Sequence, residues 1–263
     1  MDGMVRERVE LKSADEISRI RDSALVVHDV LAEVVAAAVE GVTTAELDRL
    51  AEARTRARGA VPAFKGYHGY PASICISVND EVVHGIPSSK RKLKAGDVVG
   101  LDFGAVLGGF FGDSARTVIV GGKGTQEATR LVESTREALE LAIAAARPDG
   151  RLGDIGAAVQ AHVEPRGFSV VREFVGHGIG RRLHEPPQVA NFGVRGMGMR
   201  LKAGMVLAIE PMVNAGAPGV RTLGDGWTAV TEDGSLSAHF EHTVAVTEDG
   251  PVVLSLPPAG ANR

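Results

Sequence analysis

The 263-residue chain is 44% hydrophobic and 24% charged, an ordinary globular composition with enough length to bury a substantial core. A formal net charge of -4, from 29 basic and 33 acidic residues, excludes a global field that would attract nucleic acid or anionic lipid. The single cysteine, Cys75, excludes an intrachain disulfide framework, and neither a secretory apolar core in Met1 to Lys12 nor a run of roughly 20 apolar residues is present, so a soluble cytoplasmic protein is expected.

Residues 1–12 read as a charged arm. Ser13 with Glu16 has the spacing of a capping box, and Ile17, Ile20, Ala24, Leu31, Val34, Val35 and Ala38 then recur at helical spacing up to Gly41. Thr43 with Glu46 repeats the signal and opens a second helix that Gly59 can close. Ile74 to Val78 reads as a short strand, and Val98 to Val120 as a hairpin folded at Gly108 and Gly109. A helix returns from Thr125 to Ala146, then a shorter one near Asp154 to Val163, then strands around Ser169, Val206 and Thr243. Residues 256–263 have tail composition.

The order of elements therefore starts twice. Leu93-Lys94-Ala95-Gly96, followed by Val98 and Asp102, matches Leu201-Lys202-Ala203-Gly204, followed by Val206 and Glu210. His84-Gly85-Ile86 likewise recurs as His177-Gly178-Ile179, suggesting that each half supplies a His-Gly-Ile loop. So long a period argues for two related α+β halves, about 13–122 and 123–255, within one domain spanning 13–255. A ligand pocket is expected between them.

Asp102 lies in the apolar stretch Val98-Val99-Gly100-Leu101-Asp102-Phe103, where an unpaired charge would be costly. If Gly108-Gly109 is a two-residue turn, counting back puts Asp102 opposite Ala115 and Asp113 on the same face, as diagonal neighbours. Glu210, after Val206-Leu207-Ala208-Ile209, and Glu241, after Phe240, pose the same problem. Acids so placed must share a proton or a cation. Taken singly, each acid is as well explained by pairing with a basic residue; together, with His177 in a glycine-flanked loop as nitrogen donor, they point to a dinuclear site for Mn²⁺, Fe²⁺, Co²⁺ or Zn²⁺. By the same standard, His84 and His184 alone would be loop histidines, and Trp227 and Cys75 core residues. Neither Gly112-Asp113-Ser114 nor Cys75 has the setting of a serine or cysteine nucleophile.

Across nearly its whole length the chain resembles the type I methionine aminopeptidases. The likeness rests on Gly66-Tyr67-His68-Gly69-Tyr70-Pro71, His84-Gly85-Ile86-Pro87, Asp102, Gly112-Asp113, Gly176-His177-Gly178-Ile179-Gly180, His184-Glu185, Ile209-Glu210-Pro211-Met212-Val213 and Glu241-His242-Thr243. It implies a pita-bread fold of two pseudo-symmetric α+β halves, with a central antiparallel sheet covered by helices. It also implies two divalent ions (Co, Mn, Fe or Zn), with Asp113 and Glu241 bridging, Asp102 on one ion, and His177 and Glu210 on the other. The implied reaction is attack of metal-activated water on the first peptide bond, releasing the initiator methionine when the second residue is small. Glu210 would shuttle the proton, His184 would donate to the oxyanion, and His84 would sit near the scissile nitrogen. Tyr67, Tyr70, Cys75 and Trp227 would line the methionine pocket. The pattern departs at Phe64, where relatives often have cysteine, and at Leu183, where phenylalanine is common; both would adjoin the substrate. The implied partners are nascent polypeptide N-termini met by a monomer in transient ribosome association, with no sequence-specific nucleic-acid or membrane binding. Two rivals stand beside this expectation: a prolidase or aminopeptidase P, which usually carries a further N-terminal domain, and a non-catalytic binding module of the same fold, which tends to lose the ligands. The zinc-binding extension of eukaryotic type I enzymes and the helical insertion of type II enzymes are not expected here.

Overall fold

The computed structural model describes residues 9–257, so most of the expected arm and tail lie outside the described residues. The chain order is α1 (Ala14–Ala37), α2 (Thr44–Ala57), β1 (Val61–Pro62), β2 (Cys75–Val78), β3 (Glu81–Val83), β4 (Val98–Leu107), β5 (Phe110–Ile119), α3 (Gln126–Ala145) and α4 (Leu152–Val163). There follow β6 (Ser169–Val170), β7 (Gly176–Gly178), β8 (Glu185–Val189), β9 (Val206–Ile209), β10 (Met212–Asn214), β11 (Val220–Thr222), β12 (Ala229–Thr231), β13 (Ser237–His239), β14 (His242–Thr247) and β15 (Gly250–Val253).

Both expected capping boxes form. Ser13 Oγ accepts the Glu16 amide while Glu16 accepts the Ser13 amide, and Thr43 with Glu46 does the same for α2. Helix α1 then buries Ile20, Ala24, Val27, Leu31 and Val34, one face at three- and four-residue spacing. Each of the larger side chains, Ile20, Val27, Leu31 and Val34, contributes about 1.5–3 kcal/mol on full burial. This face covers the β4–β5 hairpin, whose turn glycines Gly108 and Gly109 have φ of 58° and 81°, the left-handed geometry of a two-residue hairpin turn. The register follows: Leu107 faces Phe110, Asp102 faces Ala115, and Gly104 faces Asp113.

In the first half β4 is flanked by β2 and β5, and in the second β9 is flanked by β7 and β14, all antiparallel. Helices α3 and α4 cover the second group through Leu131, Leu139, Ile155 and Val159, packed with Leu207 and Val244. The longer sequence echo marks equivalent turns: Gly96 and Gly204 have φ of 89° and 94°, and their amides bond to Val120 and Val246 carbonyls. The shorter echo does not. His177 lies within β7, not in a loop, whereas His84 follows β3 in a loop at φ 61°. Three residues are too few to carry a register, and here they recur in different backbone conformations.

The halves meet along β5 and the chain around Glu241. Backbone bonds join Ala115 and Glu241 in both directions, at 3.4 and 3.0 Å, and Thr243 Oγ1 both donates to the Asp113 carbonyl and accepts its amide. A cluster including Ile20, Cys75, Phe110, Ile179, Val206 and Ala245 draws on both halves.

Helix α1 sits so close to β5 that a Cβ on Gly112 would fall 2.5 Å from the Ala24 nitrogen. Gly112→Ala should therefore force α1 off the hairpin and lower stability by about 1–3 kcal/mol, the range for overpacking a core. Urea unfolding measures this, and unchanged stability would mean the contact is softer than described.

Candidate active site

The hairpin brings Asp102 and Asp113 to one face, Glu210 follows the last residue of β9, Glu241 stands between β13 and β14, and His177 lies in β7. All five line one cavity of about 400 Å³. Ligand atoms of Asp113, His177 and Glu241 lie within 4.8 Å of one another. Glu210 is held between two imidazoles, its Oε1 at 3.5 Å from His177 Nε2 and its Oε2 at 3.5 Å from His239 Nε2.

Burial dominates the electrostatics. It raises the Asp102 carboxyl to about 7, the His239 charge opposing it and the Glu210 charge adding to it, and it raises Glu210 to about 8. Asp113 and Glu241 go well above the ordinary carboxylate range, through burial first and then their acidic neighbours. Burial lowers His177 to about 3, so it is neutral at pH 7. Its Nδ1 is 2.9 Å from the Gly178 carbonyl, which holds the proton on that nitrogen and leaves the Nε2 lone pair as a ligand.

These donors fit a divalent cation. Oδ1 of Asp102, Oδ1 of Asp113 and Oε1 of Glu241 are buried with no hydrogen-bond partner, a costly arrangement that a cation would relieve. Acid oxygens with one neutral imidazole suit a first-row divalent ion.

The remaining expected residues line the same cavity: Phe64, Tyr67, Tyr70, Cys75, His84, Leu183, His184 and Trp227. Tyr67 Oη lies 2.8 Å from His184 Nδ1, and the His184 and His177 rings are 4.2 Å apart. Tyr70 donates to the Gly85 carbonyl at 2.9 Å and meets Trp227 edge-on at 5.1 Å. The positive φ of His84 is held because Gly85 packs directly on β2, where a Cβ would come 2.2 Å from the Ile76 oxygen. Burial, then the His239 and His184 charges, lowers His84 to about 4. Phe64 fits over Gly104, whose added Cβ would lie 2.8 Å from the ring. Cys75, opposite Asp102 in β2, has its thiol pushed up by burial and by that carboxylate, and Ser114 Oγ donates to the Glu241 carbonyl; neither is poised as a nucleophile.

Three residues were given no role by the sequence, His68 standing only within the Gly66 to Pro71 tyrosine motif. His68 lines the cavity, Phe174 meets the His84 ring edge-on at 5.4 Å, and His239 faces Glu210. His239 was within reach, since it stands two residues before Glu241 in a β-rich stretch and so shares its face. No periodic signal marks Phe174.

Residues 18–248 match the model of metallopeptidase family M24. The chain is 51% identical to methionine aminopeptidase of Clostridium perfringens, over 94% of its length and 98% of that protein. It is 45% identical to methionine aminopeptidase of Escherichia coli, over 94% of each. Its structure superposes on that of methionine aminopeptidase from Thermotoga maritima with a TM-score of 0.93 at 45% identity, covering 95% of this chain and all of that one. A prolidase from Pyrococcus furiosus shares the fold alone, with a TM-score of 0.76 at 23% identity, covering 94% of this chain and 65% of that one.

Because burial leaves Asp102 and Glu210 holding protons until pH passes about 7 and about 8, a cation must displace those protons to bind. Calorimetry with Mn²⁺ in buffers of different ionisation enthalpy should show proton release at pH 7, with affinity falling as pH drops below those values. Affinity independent of pH, with no proton release, would contradict this site. Asp113→Asn or Glu241→Gln should lower metal content and abolish turnover; normal turnover and metal in both would also contradict it.

Proposed function

The chain belongs to metallopeptidase family M24, and we propose, from that premise, how this methionine aminopeptidase of the type I form removes the initiator methionine. Two divalent ions, drawn from cobalt, manganese, iron or zinc, would be held by Asp102, Asp113, His177, Glu210 and Glu241. The observation that carries this reading is the gathering of four acids, Asp113 and Glu241 buried and Asp102 and Glu210 partly so, with a neutral imidazole around one cavity, three of the acid oxygens being unpartnered. When bound, the ions lower the pKa of water from about 15.7 toward about 7 and polarise the peptide carbonyl.

The rest is done by the chain's own groups. Glu210 takes the proton of the attacking water on a carboxylate oxygen and passes it to the leaving amine. Tyr67 Oη lies 2.8 Å from His184 Nδ1, and in the tautomer with the ring proton on Nε2 the hydroxyl donates to Nδ1 and His184 donates from Nε2 to the oxyanion. His84, neutral at pH 7, lies near the scissile nitrogen. The methionine side chain enters among Phe64, Tyr70, Cys75, Leu183 and Trp227, where sulfur-aromatic contacts are worth about 0.3–1.5 kcal/mol. The second residue of the substrate then meets the rim, where bulk collides. The enzyme meets nascent chains in the cytoplasm as a monomer in transient contact with the ribosome; no helix among the described residues is long and apolar enough to cross a membrane.

His184→Ala should retain its metals and lose roughly 10²-fold in kcat, the scale for removing one transition-state donor in a closed site. Loss of metal instead would make His184 a ligand. In peptide competition read by mass spectrometry, Met-Ala, Met-Gly and Met-Ser starts should lose methionine rapidly, and Met-Lys, Met-Leu and Met-Phe starts hardly at all. Equal cleavage before alanine and lysine, or preference for Xaa-Pro dipeptides, would overturn the specificity.

A further inference from the structure

The turn that carries Leu183 and His184 runs from Gly180 to Glu185, and His184 is itself exposed. What fixes this turn lies behind it. Lys12, at the end of the N-terminal arm, has a side chain only 1% exposed, and its Nζ lies 2.7 Å from Oε2 of Glu185, which is 5% exposed. The exposed Glu10 takes a second bond from the same ammonium at 2.7 Å. The other oxygen of Glu185 accepts the Arg182 amide at 3.0 Å, and the Gly180 amide bonds back to the Arg182 carbonyl at 3.2 Å, closing the turn. The Gly180 carbonyl in turn accepts the Phe111 amide of β5 at 2.8 Å.

The arm is seated with little slack. The Lys12 amide donates to the Gly204 carbonyl at 2.7 Å, and a Cβ on Gly180 would fall 2.5 Å from Lys12 Cε. Glycine at 180 thus makes room for the lysine stem beneath the turn.

We propose that Lys12 is a positioning residue, whose buried ion pair with Glu185 locks the 180–185 turn and so holds His184 at the cavity wall. The proposal rests on the role given above to His184 as oxyanion donor. Removing one member of a buried pair leaves the other as an uncompensated charge, which seeks water or a new partner. Here that charge would be the carboxylate that anchors the Arg182 amide, two residues before His184. The link to Tyr67 would then have to hold the imidazole against a mobile turn.

The test uses the full-length, metal-loaded enzyme. Lys12→Met keeps the stem and removes the charge; kcat on Met-Ala-Ser should fall about 10-fold to 100-fold, the scale of a small misplacement of a catalytic group, while KM and metal content hold. Adding Glu185→Gln removes the stranded charge but keeps an oxygen for the Arg182 amide, so K12M/E185Q should recover most of the lost kcat. Histidine-ring ¹⁵N spectra of the metal-free protein should show the His184 Nδ1 hydrogen bond weakened in K12M and restored in the double variant. Unchanged kcat and spectrum in K12M would overturn the proposal, as would loss of metal or of folding that the double variant fails to reverse. If His184→Ala itself kept normal kcat, the oxyanion role would fail instead, while the ring spectrum would still report whether Lys12 fixes the ring.

Discussion

Four carboxylates within one buried cavity set the terms for everything else in this molecule. Each repels the others' charge and each has been taken out of water, so burial alone drives all four toward the protonated state. A counter-charge delivered into the same space favours the carboxylate form of all four. A fold that brings these groups together at the cost of their solvation is organised around a cation, and the neutral, lone-pair-bearing Nε2 of His177 completes such a donor set.

The pita-bread architecture supplies the acids from opposite sides. Asp102 and Asp113 come from the β4–β5 hairpin, and Glu210 and Glu241 from strand ends of the second half, just after β9 and just before β14. Their relative placement therefore depends on the seam, where Thr243 bonds the Asp113 backbone twice and Ala115 pairs with Glu241. These are uncharged bonds that fix backbone positions while leaving the carboxylate oxygens available. The buried Lys12–Glu185 pair does related work for the cavity wall, tying the arm that leads into α1 to the turn that precedes β8.

Much of this was legible in the residues. The capping boxes at Ser13 and Thr43 worked because they are local: three residues determine whether the bonds can form. The Asp102–Ala115 register followed from Gly108-Gly109 because a two-residue hairpin fixes parity along its strands. The His-Gly-Ile echo misled, because a tripeptide does not encode the backbone around it, and His177 proved to be in a strand. His68, Phe174 and the Lys12–Glu185 pair were not legible, since each depends on which loop the fold brings against another, and Lys12 and Glu185 are 173 positions apart. The residue-level roles of the site came mainly from the family resemblance; the structure supplies the physical reasons why those residues can act together.

The substrate side is built differently from the ligand side. Burial lowers the pKa of His84, on a strained backbone backed by Gly85, while that of the exposed His184 ring, set against Tyr67, is lowered by partial desolvation and by His68. In the proposed reaction both would act as neutral hydrogen-bonding groups. In the proposed mechanism, acids that can carry protons and neutral imidazole donors would share one cavity and so could together serve the amine, the water and the oxyanion. The most direct test of that cavity is anomalous diffraction from crystals of the protein grown with Mn²⁺. The account predicts two peaks in the cavity, both within bonding distance of Asp113 and Glu241, one also reached by Asp102 and the other by His177 and Glu210. A single peak, or peaks away from these carboxylates, would contradict it.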